Sequence, residues 1–173
     1  GLYPHQHGIH FNHPWPGYSK MKMKDAAFWR ECRAAAEYLI RAVPTLPGVL
    51  AENGYACLQT GKHWEGDWRN AGFTEGMTEN KPSPGPAYGN RPLASGEVVA
   101  HGNGDAGLNI GRHGLETIYD FISQHEESPF MVWYAPFLPH PPHDAPEEFM
   151  ILYREREEVP EYLPGQFHFV TFY

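Results

Sequence analysis

Two short stretches carry the side chains best suited to handling an anion. Leu58-Gln-Thr-Gly-Lys-His-Trp-Glu-Gly66 places Lys62 and His63 directly after a short apolar run. Pro139-His-Pro-Pro-His143 places His140 and His143 in a proline-stiffened loop that also follows an apolar run. Lysine offers a compact positive charge, and imidazole a proton that titrates near neutrality. If the two runs are neighbouring strands, their loops bring a cation and imidazoles around one anion. A lysine at the end of a buried strand needs a partner, because removing a charge from water without one is costly. That partner is either a structural carboxylate or an oxyanion of a ligand. His140 and His143 have a parallel pair of readings: hydrogen-bonded structural groups, or groups that bind and transfer protons. Trp64 and Trp68 read first as packing residues of the loop.

Other chemistries are less well served. His5, His7, His10 and His13 form a run that suits a transition metal, but such a run in an aromatic, proline-rich segment equally suits packing. The zinc signature H-E-x-x-H is absent. Cys32 and Cys57 fall on an expected helix face and in an expected strand, and are read as buried free thiols. There is no G-x-S-x-G element and no convincing nucleophile. Gly102-Asn-Gly-Asp-Ala-Gly107 has the glycines of a phosphate loop, without its lysine or a preceding strand.

The elements that must position these residues follow from pattern. Met21 to Val43 reads as a helix, with Phe28, Cys32, Ala35, Ala36, Leu39, Ile40 and Val43 on one face. Arg30, Arg33, Glu37 and Arg41 take the other face, read as solvated, with Glu37–Arg41 the better-ordered i,i+4 pair. Pro44 ends this helix. Thr45 as N-cap and Gly54 past the C-terminus bracket a short second helix. Tyr55 to Thr60 is a strand, and Gly61 opens its loop. Residues 65–112 are dense in Gly and Pro and predict a long, mostly irregular excursion. His113 to Gln124 is helical. Pro129 to Ala135 is a fully apolar strand, of the kind found in sheets covered on both sides. Glu147 to about residue 157 is a last short helix. Ligands of such α/β sheets collect at the carboxyl ends of the strands, where Lys62 and His63 fall.

Composition bounds the rest. The chain has 173 residues, 41% hydrophobic and 20% charged, enough for one domain with a core. No apolar run approaches the roughly 20 residues of a membrane span. Net charge is −8, which argues against nucleic acid as partner and requires any anion site to be locally positive. Gly1-Leu-Tyr-Pro-His-Gln-His-Gly8 has no signal-type apolar core, and Phe167 to Tyr173 ends within an apolar stretch. Both ends are expected to be cuts within a longer protein.

Taken in order, the motifs resemble the sulfatase family of the alkaline-phosphatase-like superfamily. Residues 1–8 are similar to the segment after that family's C-x-P-S-R signature. Leu46-Pro-Gly-Val-Leu-Ala-Glu-Asn-Gly-Tyr55 is similar to the helix before its lysine strand. Thr60-Gly-Lys-His-Trp-Glu-Gly66 resembles its G-K-W-H-x-G motif, and Gly72-Phe73 the Gly-Phe that follows. Residues 129–149 resemble its strand and P-H-x-P loop. The resemblance covers residues 1–10, 44–78 and 108–150.

The resemblance implies an α/β fold, a fragment of an alkaline-phosphatase-like sandwich with a mostly parallel central sheet flanked by helices and long loops, and residues 1–173 as a partial catalytic domain. It implies hydrolysis of a small-molecule or carbohydrate sulfate ester by a formylglycine nucleophile with Ca2+, and a periplasmic or secreted parent. By position Lys62 matches the sulfate-binding lysine and His140 the later histidine. His63 is carried as a catalytic candidate, and His143 and Trp64 as substrate-side candidates. Here the order is His63-Trp64 where the family has Trp then His, and a one-residue shift on an extended loop turns a side chain to the opposite side. The C-x-P-S-R, Asp-pair and D-N-G motifs that supply nucleophile and metal ligands are not in the sequence, so the chain alone is expected to lack sulfatase activity. Two alternatives stand beside this: a phosphoester or phosphonate hydrolase of the same superfamily, and a non-enzymatic His-rich metal-binding module.

Overall fold

The computed structural model describes residues 1–9, 25–79, 90–92, 98–100, 106–112, 114–138, 140 and 147–154. In chain order, a short helix α1 (Pro4–His7) closes on Gly8. Asp25 then caps α2 (Ala26–Ala36), its carboxylate accepting from the amides of Ala27 and Phe28 at 2.9 and 3.1 Å. The apolar spacing predicts one helix to Val43, but the α-helix stops at Ala36 and a 3-10 turn follows, Leu39–Ala42. With about three residues per turn, that turn re-aims the chain. Ile40 then packs on the core while Arg41 reaches Asn70.

Thr45 caps α3 (Leu46–Glu52) as its sequence position predicts. Its hydroxyl oxygen accepts from the Gly48 amide at 3.1 Å and donates to the Ala71 carbonyl at 2.6 Å. Gly54, at φ +83°, turns the chain into β1 (Ala56–Gly61). Next come a 3-10 turn, Trp68–Ala71, and the two-residue β2 (Glu75–Gly76). β3 (Asn90–Pro92) and β4 (Val98–Ala100) form a separate antiparallel pair. A further 3-10 turn, Ala106–Asn109, precedes α4 (Glu116–Gln124), β5 (Phe130–Ala135) and α5 (Glu147–Arg154).

The fold is α/β, built on an open, all-parallel sheet in the order β2-β1-β5. β1 is the central strand, and Cys57, Leu58, Gln59 and Thr60 are buried. One face carries the core of Cys57, Trp68, Ala71 and Phe73, with Ile40, Leu50 and Met131 against it. From α4, Phe121 meets Phe130 edge-to-face at 6.0 Å. His125, at the end of α4, pairs with Glu75 of β2 at 2.8 Å.

Among the described residues the excursion after residue 65 holds only short elements, and β2 and the 3-10 turns within it pack on β1. Two expectations are corrected. β5 is only partly covered rather than covered on both faces: among the described residues it lies at the sheet edge, and Phe130, Trp133 and Tyr134 are exposed. On α2, Phe28 is exposed and the charged face is partly buried, with Arg33 and Glu37 side chains only 17% and 13% exposed. The reason is tertiary: that face lies against the loop after β1. Cys32 and Cys57 are free and buried, as expected.

Candidate functional site

The site residues are placed by the register of β1 and β5. Gly61 pairs with Ala135, so both strands end at the same level and their loops start side by side. Gly61 is there because nothing else fits. Its φ is +78°, and a Cβ would lie 1.8 Å from the Ala135 carbonyl oxygen. The next residue is Lys62. Its amide donates to that same Ala135 carbonyl at 2.7 Å, and its own carbonyl accepts from Trp133 Nε1 at 3.2 Å.

From this backbone the Lys62 ammonium reaches over the Phe137 ring, 5.2 Å from its centroid. Cation–π contact favours the charge there. Burial nevertheless pushes the Lys62 pKa below the ordinary lysine value. Among the described residues no carboxylate pairs with it. The carboxylate that a structural lysine calls for is therefore not found among them.

His140 comes to the same ring from the other loop. Its imidazole is tilted at 33° to Phe137 with centroids 5.0 Å apart, and its amide donates to the Phe137 carbonyl at 3.0 Å. Lys62 and His140 thus share one buried aromatic, and the ammonium and imidazole are no further apart than those two centroid distances together. Phe137 was not singled out by the sequence. A phenylalanine between two prolines near an apolar strand reads as more core, and only its position between the loops reveals it.

The other candidates separate from this pair. His63 turns the opposite way: only 6% of its side chain is exposed, its Nδ1 lies 3.6 Å from Glu65 Oε2, and its ring stands edge-on to Phe73 at 5.9 Å. Trp64 is 46% exposed and faces α2, where the Arg33 guanidinium lies 5.9 Å from its ring and donates to its carbonyl. His143 lies outside the described residues. Of the N-terminal histidines, His5 stacks on Tyr3 and His7 Nδ1 accepts from the Ile9 amide at 2.9 Å, while His10 and His13 lie outside the described residues.

The loop after β1 is also held from the side. Asn70 Nδ2 donates to the Glu65 carbonyl at 2.6 Å and to the Glu37 carbonyl at 3.4 Å, while its Oδ1 accepts from Arg41 Nε at 2.8 Å and from Arg41 Nη2. Glu37 sits under Gly66, and burial raises its pKa; Arg33 opposes that shift and Glu65 adds to it. Arg33, Glu37, Arg41 and Asn70 were likewise not read as supporting residues, because their partners are about 30 residues away.

Among the described residues no three His, Cys, Asp or Glu side chains group as a cation cage. Two open clefts, of about 340 and 400 Å3, lie beside Arg41, Arg69 and Asn70, and neither is lined by Lys62 or His140. Lys62 and His140 are both half-buried at the strand ends. No helix is long and apolar enough to cross a membrane among the described residues. No family model, curated protein or solved structure matches this chain.

Proposed function

We propose that Lys62 and His140 form the oxyanion-binding half of a sulfate-ester hydrolase site, within a catalytic domain of the alkaline-phosphatase-like kind. The observation that supports this reading is their convergence on Phe137, at the carboxyl ends of two adjacent parallel strands, with no carboxylate on Lys62 among the described residues. In this reading Lys62 neutralises a non-bridging sulfate oxygen. His140 contacts the sulfate and gives its proton to the leaving alcohol as the sulfur–oxygen bond breaks. The substrate is a small-molecule or carbohydrate sulfate ester. The parent is a periplasmic or secreted hydrolase, by the same resemblance.

A formylglycine nucleophile and Ca2+ belong to the resemblance, where they supply attack on sulfur and charge neutralisation. The described residues offer no ligand set for the cation.

Calorimetric titration with inorganic sulfate tests the proposal. The chain should bind sulfate, and Lys62→Ala and His140→Ala should each weaken binding about tenfold, the loss of one charge-assisted contact. Absence of binding, or an affinity that neither substitution changes, rejects the assignment. Tighter binding of inorganic phosphate in the parallel titration would favour the phosphoester or phosphonate reading.

A further inference from the structure

The Gly61–Lys62 peptide is tied at every polar atom. Its carbonyl, on Gly61, accepts from Gln59 Nε2 at 3.0 Å and from Thr78 Oγ1 at 2.9 Å. Its amide, on Lys62, donates to Ala135. The two clamp side chains also hold each other. Gln59 Oε1 accepts from the Thr78 amide at 3.0 Å, and Gln59 Nε2 lies 3.3 Å from Thr78 Oγ1. Gln59 is fully buried and Thr78 is 3% exposed. Gly107 closes the cluster from above, where a Cβ would lie 2.3 Å from Thr78 Oγ1 and 2.7 Å from the Gly61 carbonyl oxygen.

Such a cluster is an unusual way to end a buried strand. Buried polar groups cost free energy unless paired, and an apolar pair would serve packing alone. Gln59 Nε2 and Thr78 Oγ1 both donate to one carbonyl, on the peptide from which the Lys62 side chain departs. Gly61 leaves that peptide poorly restrained by its own backbone preferences, because glycine is permissive. The restraint comes from Gln59 and Thr78 instead. A charge held by its support binds an anion without first losing its freedom.

We infer that Gln59 and Thr78 are positioning residues for Lys62: they orient the Gly61–Lys62 peptide so that the ammonium is presented over Phe137 to an oxyanion. The inference rests on the oxyanion reading of Lys62, and the experiment separates the two. Protein labelled with 13C at lysine Cε is titrated with inorganic sulfate. The Lys62 signal is assigned by its loss in Lys62→Ala. In the unaltered protein this signal should shift on titration. Thr78→Val, which keeps volume and removes the hydroxyl, should displace the starting Lys62 signal and weaken sulfate about tenfold. Thr78→Ser, which keeps the hydroxyl, should restore both. If Thr78→Val does not fold, Thr78→Cys carries the same test with a much poorer hydrogen-bonding group.

If sulfate binds equally well after Lys62→Ala, the oxyanion reading fails and this inference falls with it. If Lys62→Ala weakens sulfate while the Thr78 variant, folded, leaves both the Lys62 signal and the affinity unchanged, the positioning role alone is overturned. A stability loss common to Thr78→Val and Thr78→Ser, with no change at Lys62, likewise makes the cluster structural only.

Discussion

In the proposed role Lys62 would bind an anion against a cost. The ammonium is partly desolvated and its pKa is lowered by that burial, with no carboxylate beside it among the described residues to restore it. Two pH effects of opposite sign follow. Sulfate binding needs the charged form, so it falls away at a lower pH than it would for an ordinary lysine, near 10.4. Stability moves the other way. Between the depressed folded pKa and the ordinary unfolded one, the unfolded chain holds more protons, so stability rises with pH through that window. Below both pKa values Lys62 is charged in either state, and its burial cost no longer varies. Urea unfolding from about pH 8 to about pH 11, in the unaltered chain and in Lys62→Met, isolates the effect. The unaltered chain should gain on the variant as pH rises, and saturating sulfate should shrink that gain by holding the proton. Curves that stay parallel, or a gap that narrows without sulfate, would remove Lys62 as the titrating group. At this scale the sequence was informative where chemistry is local. Lys62 after an apolar run and Gly61 before it could be read directly, because the strand end and its left-handed glycine depend on neighbours in the chain. Phe137 could not, since a phenylalanine gains a role only from what two separate loops lay against it.

The loop after β1 is an element shaped mainly by distant partners. Its carbonyls at Trp64 and Glu65 accept from Arg33 and Asn70, and Asn70 is itself held by Arg41. Asn70 is 6% exposed and spends its donors on two backbone carbonyls and its acceptor on a guanidinium. Asn70→Ala leaves these partly buried groups without that partner, a loss expected at about 1–2 kcal/mol. Asn70→Asp keeps an acceptor for Arg41 but loses both donors to the carbonyls, and should fall between. Chemical denaturation gives the stabilities, and amide exchange at Glu65 and Gly66 reports whether the loop itself loosens. A loss for Asn70→Ala within about 0.5 kcal/mol, the range of ordinary surface changes, would mean the loop is held elsewhere. The same contacts explain what the helical pattern missed. A charged face at 3.6 spacing looks solvated whether it meets water or a loop's carbonyls, so Arg33 and Glu37 were read as surface. The end of α2 at Ala36 was hidden for the same reason: Ile40 and Arg41 must serve the core and Asn70, and a 3-10 turn accomplishes that where a continued α-helix was expected. Thr45, Gly54 and both long strands were legible, because caps, left-handed glycines and apolar runs are written in adjacent residues.

For the whole molecule the α/β class followed from the succession of helix, glycine, strand and loop, whereas the place of each strand in the sheet did not. β5 was read as a strand of a sheet covered on both faces because Phe-Met-Val-Trp-Tyr-Ala is apolar throughout, and among the described residues it stands at the sheet edge. Edge strands are usually blunted by charge, proline or a bulge, and β5 carries neither a charge nor a proline. Phe130, Trp133 and Tyr134 are 38%, 48% and 49% exposed, and α5 adds exposed Phe149, Ile151 and Leu152. Covering such surface is worth about 25 cal/mol per Å2 of apolar area. Opposing this is the net charge of −8, which repels one copy from another. Salt should decide between them, since the screening length falls from about 30 Å at 0.01 M to about 3 Å at 1 M. At low ionic strength the chain should therefore bind a hydrophobic dye while sedimenting as a monomer. At about 1 M salt it should shift to heavier, concentration-dependent species. Trp133→Glu should reduce both dye binding and the salt-driven shift, because it puts a charge in the middle of the exposed edge. A monomer at every salt concentration that binds no dye would show that these aromatics are covered in solution, and that the edge of β5 is not an open surface.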